Sequence, residues 1–304
     1  MNRVTSEMAD AMELPATQIE PGLMSDIFVL TKARLSLLVI ITTFVGFCMA
    51  SGATLDWLLL LHAVGGTTLA AAAAAVLNQC LESNVDRLME RTRHRPLPAG
   101  RMKPGPALAL GAGLGIAGVV WLGLAVNSLS ATLAAATILI YIAAYTPLKR
   151  CTSLCTIVGA VAGAIPPVIG WVAVQPSFGL GAWVLFGILF TWQMPHFLAI
   201  AWMYRDEYAQ AGFIMIRRDD LSGCVTAMQS LLYTGALIVV TLIPFYSGMN
   251  SSIYLGGALA LDGVMLFFAV QFLIERDRAS ARSLFFTSIF FLPLILGLMI
   301  FTKL

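Results

Sequence analysis

The stretch LHAVGGTTLAAAAAAVLNQCLESNVDRLMERTRHRPLPAGR, residues 61–101, changes character partway along. Its first part is apolar and includes six consecutive alanines, Ala70 to Ala75. Its second part, residues 78–101, packs three acids, five arginines and a histidine into 24 residues, in a chain where only 11% of residues are charged. A soluble domain carries roughly a quarter charged residues. Here the charged share is less than half of that and 59% of the 304 residues are hydrophobic, so the outer surface must face lipid. The stretch then reads as one helix that leaves hydrocarbon and enters water.

Working outward, the apolar runs sort into nine spans, at about 35–51, 57–80, 105–126, 129–147, 154–173, 180–203, 224–247, 253–274 and 284–302. Each is near the roughly 20 residues that a helix needs to cross about 30 Å of hydrocarbon. The runs are continuously apolar rather than alternating, which selects helices over a barrel. The expected class is an all-α, polytopic membrane protein. Pro166, Pro167, Pro195 and Pro244 fall inside spans, where neighbouring helices can satisfy freed backbone groups, and Pro195 is expected to kink its helix. Residues 1–26 are polar and acidic, without the basic start and short apolar core of a signal peptide, and read as a disordered cytoplasmic tail ahead of a transmembrane domain at 27–304. The five cysteines lie in or beside spans and read as small buried hydrophobes.

The charges are one-sided. Alternate links between spans, at 51–56, 127–128, 174–179 and 248–252, contain no Lys or Arg, and 17 of the 18 basic residues fall on the other side, Lys303 being the exception. By the positive-inside rule the basic side is cytoplasmic, with the N-terminus inside and, for nine spans, the C-terminus outside. Most acids follow, apart from Asp56 and Asp262. A transporter needs polar routes to both faces and shows inverted repeats, whereas a membrane enzyme fed from the cytoplasm needs only one polar mouth. The asymmetry favours the enzyme.

Asn78, Glu82, Asp86 and Glu90 recur every fourth residue. If the second span continues through them, Asn78, Glu82 and Asp86 share a face. A carboxamide and two carboxylates so placed can hold Mg²⁺, which prefers oxygen ligands and few carboxylates. Arg87, Arg91 and Arg95 follow at the same spacing, and arginines beside metal-binding carboxylates suit a diphosphate. The same spacing equally fits a solvated loop whose Glu–Arg pairs support a helix end. Further on, YTPLKRCTS (145–153) places Lys149 and Arg150 at the end of a span. WQMPHFLAIAWMYRDEYAQAG (192–212) places Gln193 and His196 within one, followed by a polar cluster that includes Asp206 and Tyr208. Polar groups at membrane depth usually face the bundle or a cavity. Asp262 has no identifiable partner, and an interfacial position explains His62.

At these motifs the chain resembles the UbiA superfamily of membrane-embedded prenyltransferases. Asn78-xxx-Glu82-xxx-Asp86 followed by MERTRHRPLPAGR is similar to the family's first acidic motif, and YTPLKRCTSLCTIVGAVAGAIPPVIGW to its second loop and following helix. WQMPHFLAIAWMYRDEYAQAGFIMI resembles the branch that farnesylates heme. The resemblance covers about residues 27–302. It departs at Glu82, where aspartate is commoner, and at Asp206, which is followed four residues on by Gln210 rather than by a second acid. It implies a nine-helix bundle with an active site open to the cytoplasm, farnesyl diphosphate and heme b as substrates, and Mg²⁺ as cofactor. It also implies Asn78, Glu82 and Asp86 as metal ligands, and Arg91, Arg95, Lys149 and Arg150 as diphosphate contacts. Gln193, His196, Asp206 and Tyr208 are its further substrate contacts, with His196 on the heme. A bacterial inner-membrane location follows, with the heme A synthase or terminal-oxidase assembly machinery as partners and no nucleic acid. A relative that prenylates an aromatic ring would share the first motif but not WQMPHF.

Overall fold

The computed structural model describes residues 22–304, all α-helix and connecting turns apart from one isolated bridge between Asn250 and Lys303. The helices are α1 Leu23–Leu30, α2 Ala33–Ala50, α3 Trp57–Asp86 and α4 Pro104–Ala125. They continue with α5 Ser128–Leu148, α6 Cys155–Val174, α7 Leu180–Met203 and the short α8 Arg205–Gln210. α9 Cys224–Tyr246, α10 Ser252–Glu275 and α11 Arg278–Phe301 complete the bundle. Eight of these (α3 to α7 and α9 to α11) are long and apolar enough to cross a membrane. The expected first span falls on α2, whose apolar part is the shorter segment Ser36–Ala50. Most of the expected tail, residues 1–21, lies outside the described residues. Its last residues belong to α1, where Asp26 is buried and paired with Arg101 at 2.8 Å.

Local chemistry fixes the helix ends. Asp56 accepts a hydrogen bond from the Leu59 N–H at 3.0 Å to start α3. Asn127 does the same for the Ser130 N–H at 2.8 Å in α5, and Asp277 for the Ser280 N–H at 2.7 Å in α11. Capping by Asp277 lets α11 begin six residues ahead of the expected 284, with Arg278 and Arg282 in its first turns. α6 and α7 run unbroken through their prolines.

Burial separates the core from the lipid face. The hydrophobic windows of α6 and α7 are 72% and 67% buried, against 22–28% for α4, α5, α9 and α10. α6 and α7 are therefore the axis on which the others pack, α2 against α6 and α9 and α11 against α7. Transmembrane helices gain little from apolar burial against one another, so close approach through small residues takes over. At the α2–α6 crossing a Cβ on Gly170 would stand 2.0 Å from the Thr43 carbonyl oxygen, and one on Gly46 would stand 1.9 Å from that of Pro167. Backbone cannot yield as a side chain can. Gly170→Ala is expected to destabilise the protein by about 1–3 kcal/mol or more, whereas Gly113→Ala, with nothing within 4 Å of its Cβ, is expected to be neutral or stabilising. Thermal unfolding in detergent, followed by tryptophan fluorescence, checks the pair.

The remaining outliers find structural roles. Lys303 donates to the carbonyls of Cys48 (2.9 Å) and Ser51 at the C-terminus of α2, where a cation is favoured. Asp262 accepts from Thr241 at 2.7 Å, and His62 from the Trp121 indole at 2.9 Å. Only Cys48 and Cys155 are fully buried. Cys151 and Cys224 are exposed, contrary to the uniform burial expected, because they stand at the polar ends of their helices.

Candidate active site

α3 does continue past the hydrocarbon, over 30 residues, and ends at Asp86. Asn78, Glu82 and Asp86 lie on one of its faces and all three are buried. A buried carboxylate without a counter-charge costs several kcal/mol, and here each has one. Lys149 donates to both Glu82 oxygens, at 2.8 and 3.1 Å. Arg95 donates to Asp86 Oδ2 at 2.7 Å. The Asn78 amide donates to Thr146 Oγ1 at 3.0 Å, while its oxygen accepts from Lys32 at 3.3 Å.

Lys149 reaches Glu82 from the end of α5, where the chain departs from a regular α-helix. Residues Ile140–Tyr145 form a π-helical turn. Pro147 follows one residue later and has no N–H to donate back, while the Tyr141 carbonyl accepts from the Thr146 N–H and, at 2.8 Å, from Thr146 Oγ1. Such widened turns recur at functional sites. The Lys149 ammonium lies 4.4 Å from the Tyr145 ring centroid and 5.7 Å from that of Phe213, an aromatic lining that favours a cation. Burial alone would lower its pKa, but the Tyr145 oxygen and the Glu82 carboxylate outweigh that and raise it above the ordinary lysine value. Lys149 is a fixed cation.

The four-residue rhythm beyond Asp86 is not a helix face. The chain turns there, with Thr92 Oγ1 donating to the Asp86 carbonyl at 2.8 Å and Arg87 to the Pro98 carbonyl at 3.1 Å. Turns rather than helical spacing deliver the arginines. Arg95 folds back onto Asp86, and Arg91 crosses to the 204–213 segment. There it bonds the Tyr208 hydroxyl at 3.1 Å and lies 5.4 Å over the Tyr204 ring. Glu90 is exposed and, among the described residues, pairs with Arg93 at 3.6 Å.

The structure therefore gathers Asn78, Glu82, Asp86, Arg95 and Lys149 directly, with Arg91 and Tyr208 beside them. Arg150 is exposed and shows no side-chain bond among the described residues. Asp206 is exposed, 3.8 Å from Arg205. Gln193 is spent on packing, donating to the carbonyls of Ala160 and Leu189 at 3.3 and 3.0 Å, with its oxygen against Gly163. His196 lies elsewhere on α7, stacked with Trp192 and Phe285 at 5.0 Å each, its Nδ1 2.8 Å from Ser288 Oγ. Lys32, Tyr145, Thr146 and Phe213 belong to the site and were not singled out. The Thr-Pro pair ahead of Lys149 was the available signal for Thr146; Lys32 and Phe213 carry none in their local sequence.

Among the described residues no three His, Cys, Asp or Glu side chains converge. The donor set is one carboxamide and two carboxylates on one face, which suits Mg²⁺, a cation that keeps several waters or substrate oxygens among its ligands. Paired carboxylates and fixed cations at one end of an apolar helical bundle accommodate an anionic head with a lipophilic tail, the layout of a membrane-embedded prenyltransferase. The UbiA prenyltransferase family matches residues 39–295, so the chain belongs to this family. A protoheme IX farnesyltransferase from Solibacter usitatus is 44% identical, over 92% of this chain and 99% of its own. A solved digeranylgeranylglyceryl phosphate synthase shares the fold with a TM-score of 0.77 at 17% identity, over 92% of this chain and 98% of the other. A UbiA homologue from Archaeoglobus fulgidus, solved bound to GPP and Mg²⁺, does so with a TM-score of 0.65 at 10% identity, over 90% and 99%.

Proposed function

We propose that this chain transfers the farnesyl group of farnesyl diphosphate to a vinyl group of heme b, giving heme O and diphosphate. The observation that carries this reading is the 44% identity, over nearly the full length of both chains, to the Solibacter protoheme IX farnesyltransferase. The carboxylate–cation cluster gives the reading a physical basis.

The allylic C–O bond of farnesyl diphosphate breaks, leaving an electron pair on diphosphate and a farnesyl cation. The vinyl terminal carbon bonds to that cation, and water adds at the neighbouring carbon with loss of a proton, giving a hydroxyalkyl arm. Stabilising the departing negative charge is the main task, and fixed charges in a dry site do it without reorganising. Asn78, Glu82 and Asp86 would hold Mg²⁺; the Archaeoglobus homologue solved with GPP and Mg²⁺ supports the choice of ion. When bound, the ion would neutralise the leaving group as a Lewis acid. Arg95 and Lys149, held in place by the two carboxylates, offer their remaining N–H donors to phosphate oxygens, and Arg91 adds a third cation. Arg150 and Asp206, exposed beside the cluster, are outer contacts. The apolar bundle takes the farnesyl chain and shields the cation from early capture by water.

On the acceptor side, His196 contacts the heme through Nε2, which carries no bond among the described residues, while Ser288 holds Nδ1. Gln193 acts one turn away by fixing α7 against α6. The charged end faces the cytoplasm by the positive-inside rule, in a bacterial inner membrane, with α2 as the ninth crossing. The lipophilic product then passes within the bilayer to the heme A synthase or oxidase assembly machinery.

Supplying purified protein in lipid with heme b, farnesyl diphosphate and Mg²⁺ is expected to yield heme b enlarged by one farnesyl and one hydroxyl group, read by mass spectrometry. Recovery of unmodified heme b, together with prenylation of an aromatic quinone precursor, would instead assign the chain to the ring-modifying relatives.

A further inference from the structure

A polar cavity of about 420 Å³ opens at the end of α7, against the α10–α11 link. Four elements frame it: the end of α7 with Trp202 and Met203, the start of α8 with Arg205 and Asp206, the turn at Leu221 and Ser222, and the α10–α11 link with Arg276, Asp277 and Arg278. Three guanidinium groups thus face two carboxylates, and the Asp277 carboxylate is already committed to the Ser280 N–H and hydroxyl, each at 2.7 Å. Arg276 and Arg278 have no acid partner within 4.0 Å among the described residues. The cavity has more cationic than anionic capacity.

Backbone conformation marks the same place. Among the described residues only two non-glycine positions have positive φ, Lys32 at 50° and Arg276 at 53°. That region is the natural place for glycine, and other residues there concentrate at functional sites. Lys32 is the lysine that reaches Asn78. Arg276, the second case, lines this cavity.

The cavity also stands next to the reacting groups. Tyr204 connects the two sites, with Arg91 at 5.4 Å and Arg278 at 5.9 Å over its ring. Deeper along the same two helices, α7 and α11 bring His196 and Phe285 into stacking contact. His196 is seven residues from Met203 at the end of α7, roughly 10 Å along the helix, a gap on the scale of a porphyrin ring. Heme b is apolar around its ring and carries two carboxylates on one edge, so it needs an apolar seam that ends in paired cations.

We propose that the Arg205–Arg276–Arg278 cavity binds the two propionate carboxylates of the heme acceptor. Guanidinium groups suit this role because each can donate two parallel hydrogen bonds to a carboxylate. The assignment rests on heme b being the acceptor. Anionic lipid headgroups offer similar chemistry, and the experiment separates the two sources.

The test is a titration followed by heme absorbance, using full-length protein in phosphatidylcholine nanodiscs. It compares heme b with its dimethyl ester, and wild type with Arg276→Gly and Arg278→Gln. Each variant is expected to bind heme b roughly tenfold more weakly, the loss of one charged hydrogen-bonding group. Both should bind the ester as wild type does, and wild type itself should bind the ester more weakly than heme b. Arg276→Gly removes the positive-φ strain, so it is expected to be at least as thermally stable as wild type while losing heme affinity, which a structural role for Arg276 would not produce. Unchanged heme b affinity in both variants, or equal losses for heme b and ester, would overturn the proposal. So would a difference between wild type and variants that appears only with phosphatidylglycerol and ignores esterification, which marks a lipid site. Wild type that binds neither porphyrin would remove the acceptor reading itself, a distinct result.

Discussion

Asp86→Asn is expected to lower heme O formation by roughly 10³-fold, the scale of losing a fixed electrostatic group at a developing charge. Asp86 is 1% exposed at the end of α3, and its Oδ2 is held 2.7 Å from Arg95. Asparagine keeps the shape and removes the charge. On the proposed reading two things are lost together: a carboxylate for Mg²⁺ and the anchor that holds Arg95 at 2.7 Å. The folded protein should survive, because the Arg95 side chain is 22% exposed and can be solvated. A stability cost of about 1–3 kcal/mol is expected for the lost charged hydrogen bond. Single-turnover formation of heme O, alongside expression level and thermal unfolding, separates the effects. Full activity in a stably inserted Asp86→Asn protein would remove Asp86 from the metal site.

The second large effect concerns the pair between Lys149 and Glu82. Both are buried and within 2.8 Å of each other, and Lys149 comes from a helix that is 67 residues further along the chain. Lys149→Met strands the Glu82 carboxylate in a dry environment and is expected to cost about 3–5 kcal/mol. Replacing both, Lys149→Met with Glu82→Leu, removes the unpaired charge and should return most of that stability. On the proposed roles of Glu82 as a metal ligand and Lys149 as a phosphate contact, activity should be absent in both proteins. Unfolding midpoints for wild type, the two single variants and the double variant form the cycle. A double variant as unstable as the sum of the singles would show that the pair is not coupled.

These pairs show which parts of the site the sequence could and could not reveal. Span positions were readable because hydrocarbon thickness fixes length and composition at once; α7 spans 180–203, as its hydropathy predicts. The face formed by Asn78, Glu82 and Asp86 was readable for a local reason, since α3 simply continues beyond the membrane. The spacing of Arg95 suggests a helix face, but the chain turns after Asp86 and a loop brings Arg95 back to that carboxylate. Lys32 was hidden because its contact with Asn78 depends on a positive-φ turn 46 residues away. Gln193 and His196 were readable as polar residues at membrane depth, but not their partners: Gln193 fastens α7 to α6, and Ser288 of α11 holds His196 Nδ1. Arg150 and its neighbour Lys149 look alike in sequence, and only packing distinguishes the exposed residue from the buried one.

The central claim is that the acidic face of α3 binds the diphosphate of farnesyl diphosphate together with Mg²⁺. Equilibrium binding of radiolabelled farnesyl diphosphate to the protein in nanodiscs, with Mg²⁺ or with a chelator, tests it most directly. Binding is expected to need Mg²⁺ in the wild type and to be lost, with or without the ion, in the Glu82→Gln/Asp86→Asn protein. Equal affinity with Mg²⁺ and chelator, or wild-type binding by the double variant, would contradict it.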